Sequence, residues 1–172
     1  MNNLKKDSSK KGFTIIEVVL VLAIAGLIFL MVFIALPALQ RNQRDTQRKN
    51  DMGRLSSQLV NYTSSNRGSL PPASIEGYAA FVGQYLVAGG DSFIDPSGAG
   101  PEQTGSPSTY VMAYTPAVGT ILPTDFAVTQ NIIYVTPGAV CGESSSTVKA
   151  GGSRTVAFRM VLESGGVSCV NN

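Results

Sequence analysis

The chain has 172 residues and a net charge of +2 at pH 7, with neither His nor Trp. That length allows one domain of ordinary size plus an appendage. Without His the chain lacks the commonest general base and the commonest metal ligand. No phosphate-loop, zinc-helix or EF-hand spacing occurs either, so no catalytic, cofactor or metal site is expected.

In chain order, residues 1–12 carry Lys5, Lys6, Lys10 and Lys11 against Asp7. Residues 18–39 follow as a run of 22 without a charged or strongly polar side chain. As a helix this run is roughly 33 Å long, enough for a hydrocarbon core of about 30 Å. It exceeds the apolar region of a secretory signal, and Leu36-Pro37-Ala38 is a poor cleavage site, so the segment is expected to stay with the protein. The four leading lysines favour a cytoplasmic N-terminus, while Arg41, Arg44, Arg48 and Lys49 beyond the run pull the other way. The Gly/Ser/Thr-rich remainder with its two cysteines has an exported character and decides for the N-terminus inside. Glu17 interrupts an otherwise apolar stretch. A carboxylate near a membrane core costs several kcal/mol unless it snorkels or is paired. It either reaches headgroups or meets a positive charge in an assembled state.

Lys10-Lys11-Gly12-Phe13-Thr14-Ile15-Ile16-Glu17-Val18 resembles the prepilin cleavage motif of type IV pilins and type II secretion pseudopilins. The resemblance covers about residues 5–59. It implies cleavage between Gly12 and Phe13 by a membrane aspartyl prepilin peptidase, and N-methylation of Phe13. It implies that Glu17 of one subunit neutralises the new amine of a neighbour. Further implied partners are membrane lipid before assembly, an inner-membrane assembly platform with its ATPase, and further copies of the chain in a helical surface filament. Gly26 and Pro37 then border a stretch that loses helicity on assembly. The chain read this way is a structural pilus subunit and not an enzyme. The alternatives are a pseudopilin of a type II secretion or DNA-uptake apparatus, or a single-pass membrane protein that does not polymerise. Independently of the resemblance, Gly12 offers a protease an unhindered backbone, and a buried amine–carboxylate pair loses about 3–5 kcal/mol when one partner is removed.

The expected organisation is a leader at 1–12, a membrane or filament-core helix at 13–39, a helical stem at 40–67 and an α+β head at 68–172. Residues 40–51 contain no apolar side chain, which reads as a connector, an interaction surface or no helix. Met52, Leu55, Leu59 and Tyr62 then form one face that packs on the head. Asn66-Arg67-Gly68 supplies a stop, with Pro71-Pro72 beyond. A continuous helix from Phe13 to Asn66 is roughly 80 Å long.

Within the head, Ser74 caps a second helix with Glu76 near its positive end, and Gly89-Gly90 ends it. Residues 91–108 read as a surface loop, with Asp91 and Asp95 as solvated acids rather than a calcium site. Strands are expected at 109–114, 126–136 and 154–163, the last with one buried face. Ser164-Gly165-Gly166 turns into a final strand at 167–170, completing an antiparallel sheet. Tyr110, Tyr114 and Tyr134 read as sheet residues. Cys141 and Cys169 can pair only with each other if this part is exported; otherwise they are two buried thiols. The stem carries a net +4 and the head a net −4; these are either two solvated surfaces or faces by which stems and heads of neighbouring copies attract. The acidic head argues against DNA binding through it; the basic stem could hold phosphate, but in a filament it is expected to be largely covered.

Overall fold

The computed structural model describes residues 12–90, 93–97, 110–115, 118, 119, 122 and 131–172. The chain divides into two units that meet after Leu39, and each is taken by itself. The first helix, α1 (Ile15–Ser65), contributes to both. In the first unit almost every side chain from Phe13 to Leu39 is exposed.

In the second unit α1 is helical through the apolar-free residues 40–51 and continues along the Met52, Leu55 and Leu59 face, all three completely buried. It ends where Arg67 and Gly68 adopt positive φ, with the Gly68 N–H donating to the Thr63 carbonyl at 2.7 Å. That i to i−5 bond is the Schellman closure of a helix C-terminus. Ser74 then caps α2 (Ile75–Val82), its hydroxyl accepting from the Gly77 N–H at 3.0 Å. A π-helical turn, Gly83–Val87, follows.

The strands are β1 (Val111–Tyr114), β2 (Ile132–Pro137), β3 (Ala139–Cys141), β4 (Val148–Ala150), β5 (Val156–Val161) and β6 (Val167–Asn171). The main sheet has the order β1-β2-β5-β6, and β3 pairs with β4 in a separate hairpin. The expected α+β architecture is present, but the sheet is not wholly antiparallel. β1 runs parallel to β2, with Val111 beside Ile132, whereas β2–β5 and β5–β6 are antiparallel. Residues 115–131 separate the pair, a connection long enough for the crossover that parallel strands require. The expected strand at 126–136 begins only at Ile132, and its first part, residues 126–130, lies outside the described residues.

β5 corrects a second expectation. All six of its residues are buried, not one face only. Val156, Phe158 and Met160 join Met52, Leu55, Leu59, Tyr78, Phe81, Ile133 and Val135 in the main core. On the other face Ala157 packs with Ala139 and Val148 of the β3–β4 hairpin. This hairpin lacks a strong alternating pattern and was not anticipated; a central strand covered on both sides reads as nearly continuous apolar sequence. Arg159, on the hairpin side, is fully buried and donates to the Ser146 carbonyl and the Thr136 hydroxyl. A disulfide between Cys141 and Cys169, with Cα atoms 5.9 Å apart, ties β3 to β6. Replacing both cysteines by Ser is expected to lower the unfolding free energy by about 3 kcal/mol. Urea denaturation of wild-type and variant chains reads this directly, and an unchanged midpoint would reject it.

Candidate processing and assembly site

Gly12, Phe13 and Thr14 precede the first helical residue, Ile15, and are exposed; Phe13 is 88% accessible. The start of α1 is set by Thr14 and Glu17. The Glu17 N–H donates to Thr14 Oγ1 at 3.3 Å. In return Glu17 Oε2 accepts from the Thr14 N–H at 3.2 Å and from its hydroxyl at 2.9 Å. This is a capping box, satisfying two of the donors that a helix start otherwise leaves open. Its signature, Thr-x-x-Glu before an apolar run, is present in the sequence, where Glu17 reads only as a group that reaches headgroups or meets a positive charge. The carboxylate therefore has a local partner in the uncut chain, while the Phe13 nitrogen is still part of a peptide bond. Phe13, Glu17, Val18, Val21 and Leu22 line one shallow, mainly apolar groove along this face of the helix.

Gly26 and Pro37 both lie inside α1. Open space surrounds the position a Cβ would take at Gly26. Pro37 supplies no N–H, so one helical hydrogen bond is missing there. Cys141 and Cys169 are joined as described and take no part in this segment.

The stem shows what its charges do within one chain. Arg48 is 0% exposed. Its guanidinium grips Asp95 through two bonds, Nε–Oδ2 at 2.7 Å and Nη2–Oδ1 at 3.0 Å. Its Nη1 reaches Asp45 at 3.0 Å and Glu163 at 3.3 Å. Arg44 Nε donates to Glu163 Oε2 at 2.8 Å. Asp45 accepts from the N–H groups of Glu163 (2.9 Å) and Ser164 (2.8 Å) and from the Ser164 hydroxyl. One turn further on, Asp51 accepts from the Tyr110 hydroxyl at 2.8 Å and pairs with Arg54 at 2.6 Å.

Two sequence expectations change here. Asp95 is not a solvated loop acid but a buried counter-ion; Asp91 lies outside the described residues. Arg44 and Arg48 are engaged with the head of their own chain, not left for a neighbour's. Sequence reasoning missed Asp45, Arg48, Asp95 and Glu163 as a set because their partners lie far apart in the chain.

Residues 7–33 match a family model described as the prokaryotic N-terminal methylation motif. The chain carries the class III signal peptide of type IV pilins. The motif supports a type IV pilin-like or pseudopilin protein in general. Such a signal implies processing by a prepilin peptidase and assembly into type IV pilus-like systems. The match ends inside the apolar part of α1, which is long and apolar enough to cross a membrane and suggests membrane anchoring of the precursor. No curated protein and no solved structure matches the chain.

The stem network has a defined response to pH. Burial pushes the Asp45 carboxyl up, but the bonds from Ser164, the Glu163 backbone and Arg48 outweigh it and leave it below the ordinary range. Burial likewise opposes ionisation of Asp95, and the bonds from Arg48 and Ser97 overcome it. The Arg44 hydrogen bond holds Glu163 low. A carboxyl depressed on folding stabilises above its unfolded value and ceases to do so as pH falls through its folded value. Stability of the head is therefore expected to be level from pH 7 to about pH 5 and to fall below about pH 4. Urea midpoints across that range test this, and a level profile down to about pH 3 would contradict it.

Proposed function

We propose that the chain is the structural subunit of a type IV pilus-like surface filament. The observation that carries this reading is the order of the N-terminal elements. A basic leader ends at Gly12, a non-helical Phe13-Thr14 follows, and then comes a helix whose apolar side chains are exposed. In a monomer in water that surface is untenable; lipid before assembly and other copies of the helix afterwards are the environments that suit it.

A prepilin peptidase cuts the Gly12–Phe13 bond in this reading. The bond lies in non-helical, accessible chain just ahead of the capping box, where a protease can bind it without unwinding a helix. Cleavage gives Phe13 a cationic amine, which the same enzyme methylates. Glu17 then exchanges its bonds to Thr14 for the amine of a neighbouring subunit. A pair of this kind specifies register, because an uncompensated charge in the apolar core is costly. Gly26 and Pro37, weak points in the ladder, are where the helix loosens when copies pack. No residue has a catalytic role.

Intact mass and N-terminal sequencing of protein sheared from the cell surface are expected to give a chain starting at Phe13. It should carry one added methyl group and lack the two hydrogens lost to the disulfide. A chain that begins near Met1 and stays in the membrane fraction would overturn the filament reading. A processed chain that is absent from sheared material would favour a pseudopilin. Glu17→Val is expected to leave a processed, membrane-resident subunit with little filament; normal filament yield would remove Glu17 from the assembly step.

A further inference from the structure

Within the second unit, α1 is held to the head in two unlike ways. From Met52 onward the hold is apolar: Met52, Leu55 and Leu59 are completely buried among α2, β2 and β5 side chains. Across residues 40–51 there is no apolar side chain, yet Asp45, Arg48 and Asp51 are buried. Polar and ionic bonds hold these side chains there. Their partners lie in two short places besides Tyr110: Asp95 and the β5–β6 turn at Glu163 and Ser164. The turn is shaped for the task. Gly165 and Gly166 take positive φ, and the N–H groups of Glu163 and Ser164 are left to point at Asp45.

Three guanidiniums, Arg41, Arg44 and Arg48, face three carboxylates, Asp45, Asp95 and Glu163, so the set is balanced. A helix without an apolar face has little stability of its own and depends on whatever docks it. Apolar contacts weaken gradually with displacement, whereas these bonds share atoms. Arg48 alone bonds Asp45, Asp95 and Glu163, so loss of one part exposes the rest. Met52 marks the change from ionic to apolar contacts, and Tyr110, which bonds Asp51 and lies in the main core, is where the two meet.

We propose that residues 41–51 form a charge-held strap, a section of α1 that undocks from the head as one unit while the helix from Met52 onward and the sheet remain folded. The inference rests on contacts inside residues 40–172 and stands whether or not the chain polymerises. Docked, the strap makes the head-bound part of α1 begin at Arg41. Undocked, three more turns are released to follow a neighbouring surface, and the core loses only the bond from the Tyr110 hydroxyl to Asp51.

Native-state hydrogen exchange on the full chain in detergent micelles, in low urea, tests this. Amides of residues 44–51 are expected to exchange about tenfold or more faster than those of residues 55–62, although both lie in one helix. Arg48→Met is expected to speed residues 44–51 further and to leave 55–62 and β5 unchanged. Glu163→Gln removes only a half-buried partner and is expected to do the same more weakly, which keeps the test open if Arg48→Met does not fold. Equal protection of the two segments in the wild type would overturn the proposal. So would variants that speed both segments alike, since the network would then belong to the global fold.

Discussion

A fully buried guanidinium governs how the stem meets the head. Arg48 cannot lose its charge, and taking it out of water is tolerable only because Asp95 meets it with two parallel bonds while Asp45 and Glu163 meet its remaining edge. Each of those acids needs something in return. Asp45 takes the N–H groups of the β5–β6 turn, Glu163 takes Arg44, and Asp95 takes the Ser97 N–H and hydroxyl. One cation thereby fixes the height at which α1 stands against the β5–β6 turn and the Asp95 loop, the latter anchored in the core by Phe93. Such a set specifies a geometry more than it adds stability, because its partners could be exchanged for apolar residues at little cost, but none can be removed singly.

The apolar core follows from a different logic. Three α1 side chains and the α2 face cover one side of the sheet, and the β3–β4 hairpin covers the other over β5. The disulfide joins that hairpin to the edge strand β6, where the small second cluster would otherwise have few contacts to keep it in place. A domain of this size buries a smaller share of its surface than a large one, and a covalent link offsets part of the deficit.

At the other end of the chain, the capping box reconciles two demands on Glu17. Before cleavage a carboxylate beside an apolar helix needs partners, and Thr14 supplies them within one turn. The same bonds set the start of the helix at Ile15 and leave the Gly12–Phe13 bond in exposed, non-helical chain. In the proposed function, Thr14 and Glu17 thus prepare the segment for a protease, and Glu17 is there to meet a new amine after cleavage.

The sequence by itself determined the leader, the apolar run, the helix stop at Gly68, the Ser74 cap and the turn at Gly165. Each of these is a local matter of composition, capping or positive φ, decided within a few residues. The methylation motif is legible for the same reason: Gly12, Phe13 and Glu17 are close together in the chain. Only the tertiary structure decided the rest. The parallel pairing of β1 with β2 depends on a crossover that leaves no periodic mark. The burial of β5 on both faces depends on a hairpin whose strands are three residues each. Residues 40–51 read as a connector, an interaction surface or no helix, because charge in the sequence implies surface. Their role depends on Asp95 and Glu163, 47 and 115 positions beyond Arg48, and pairing at that distance is set by how the head folds.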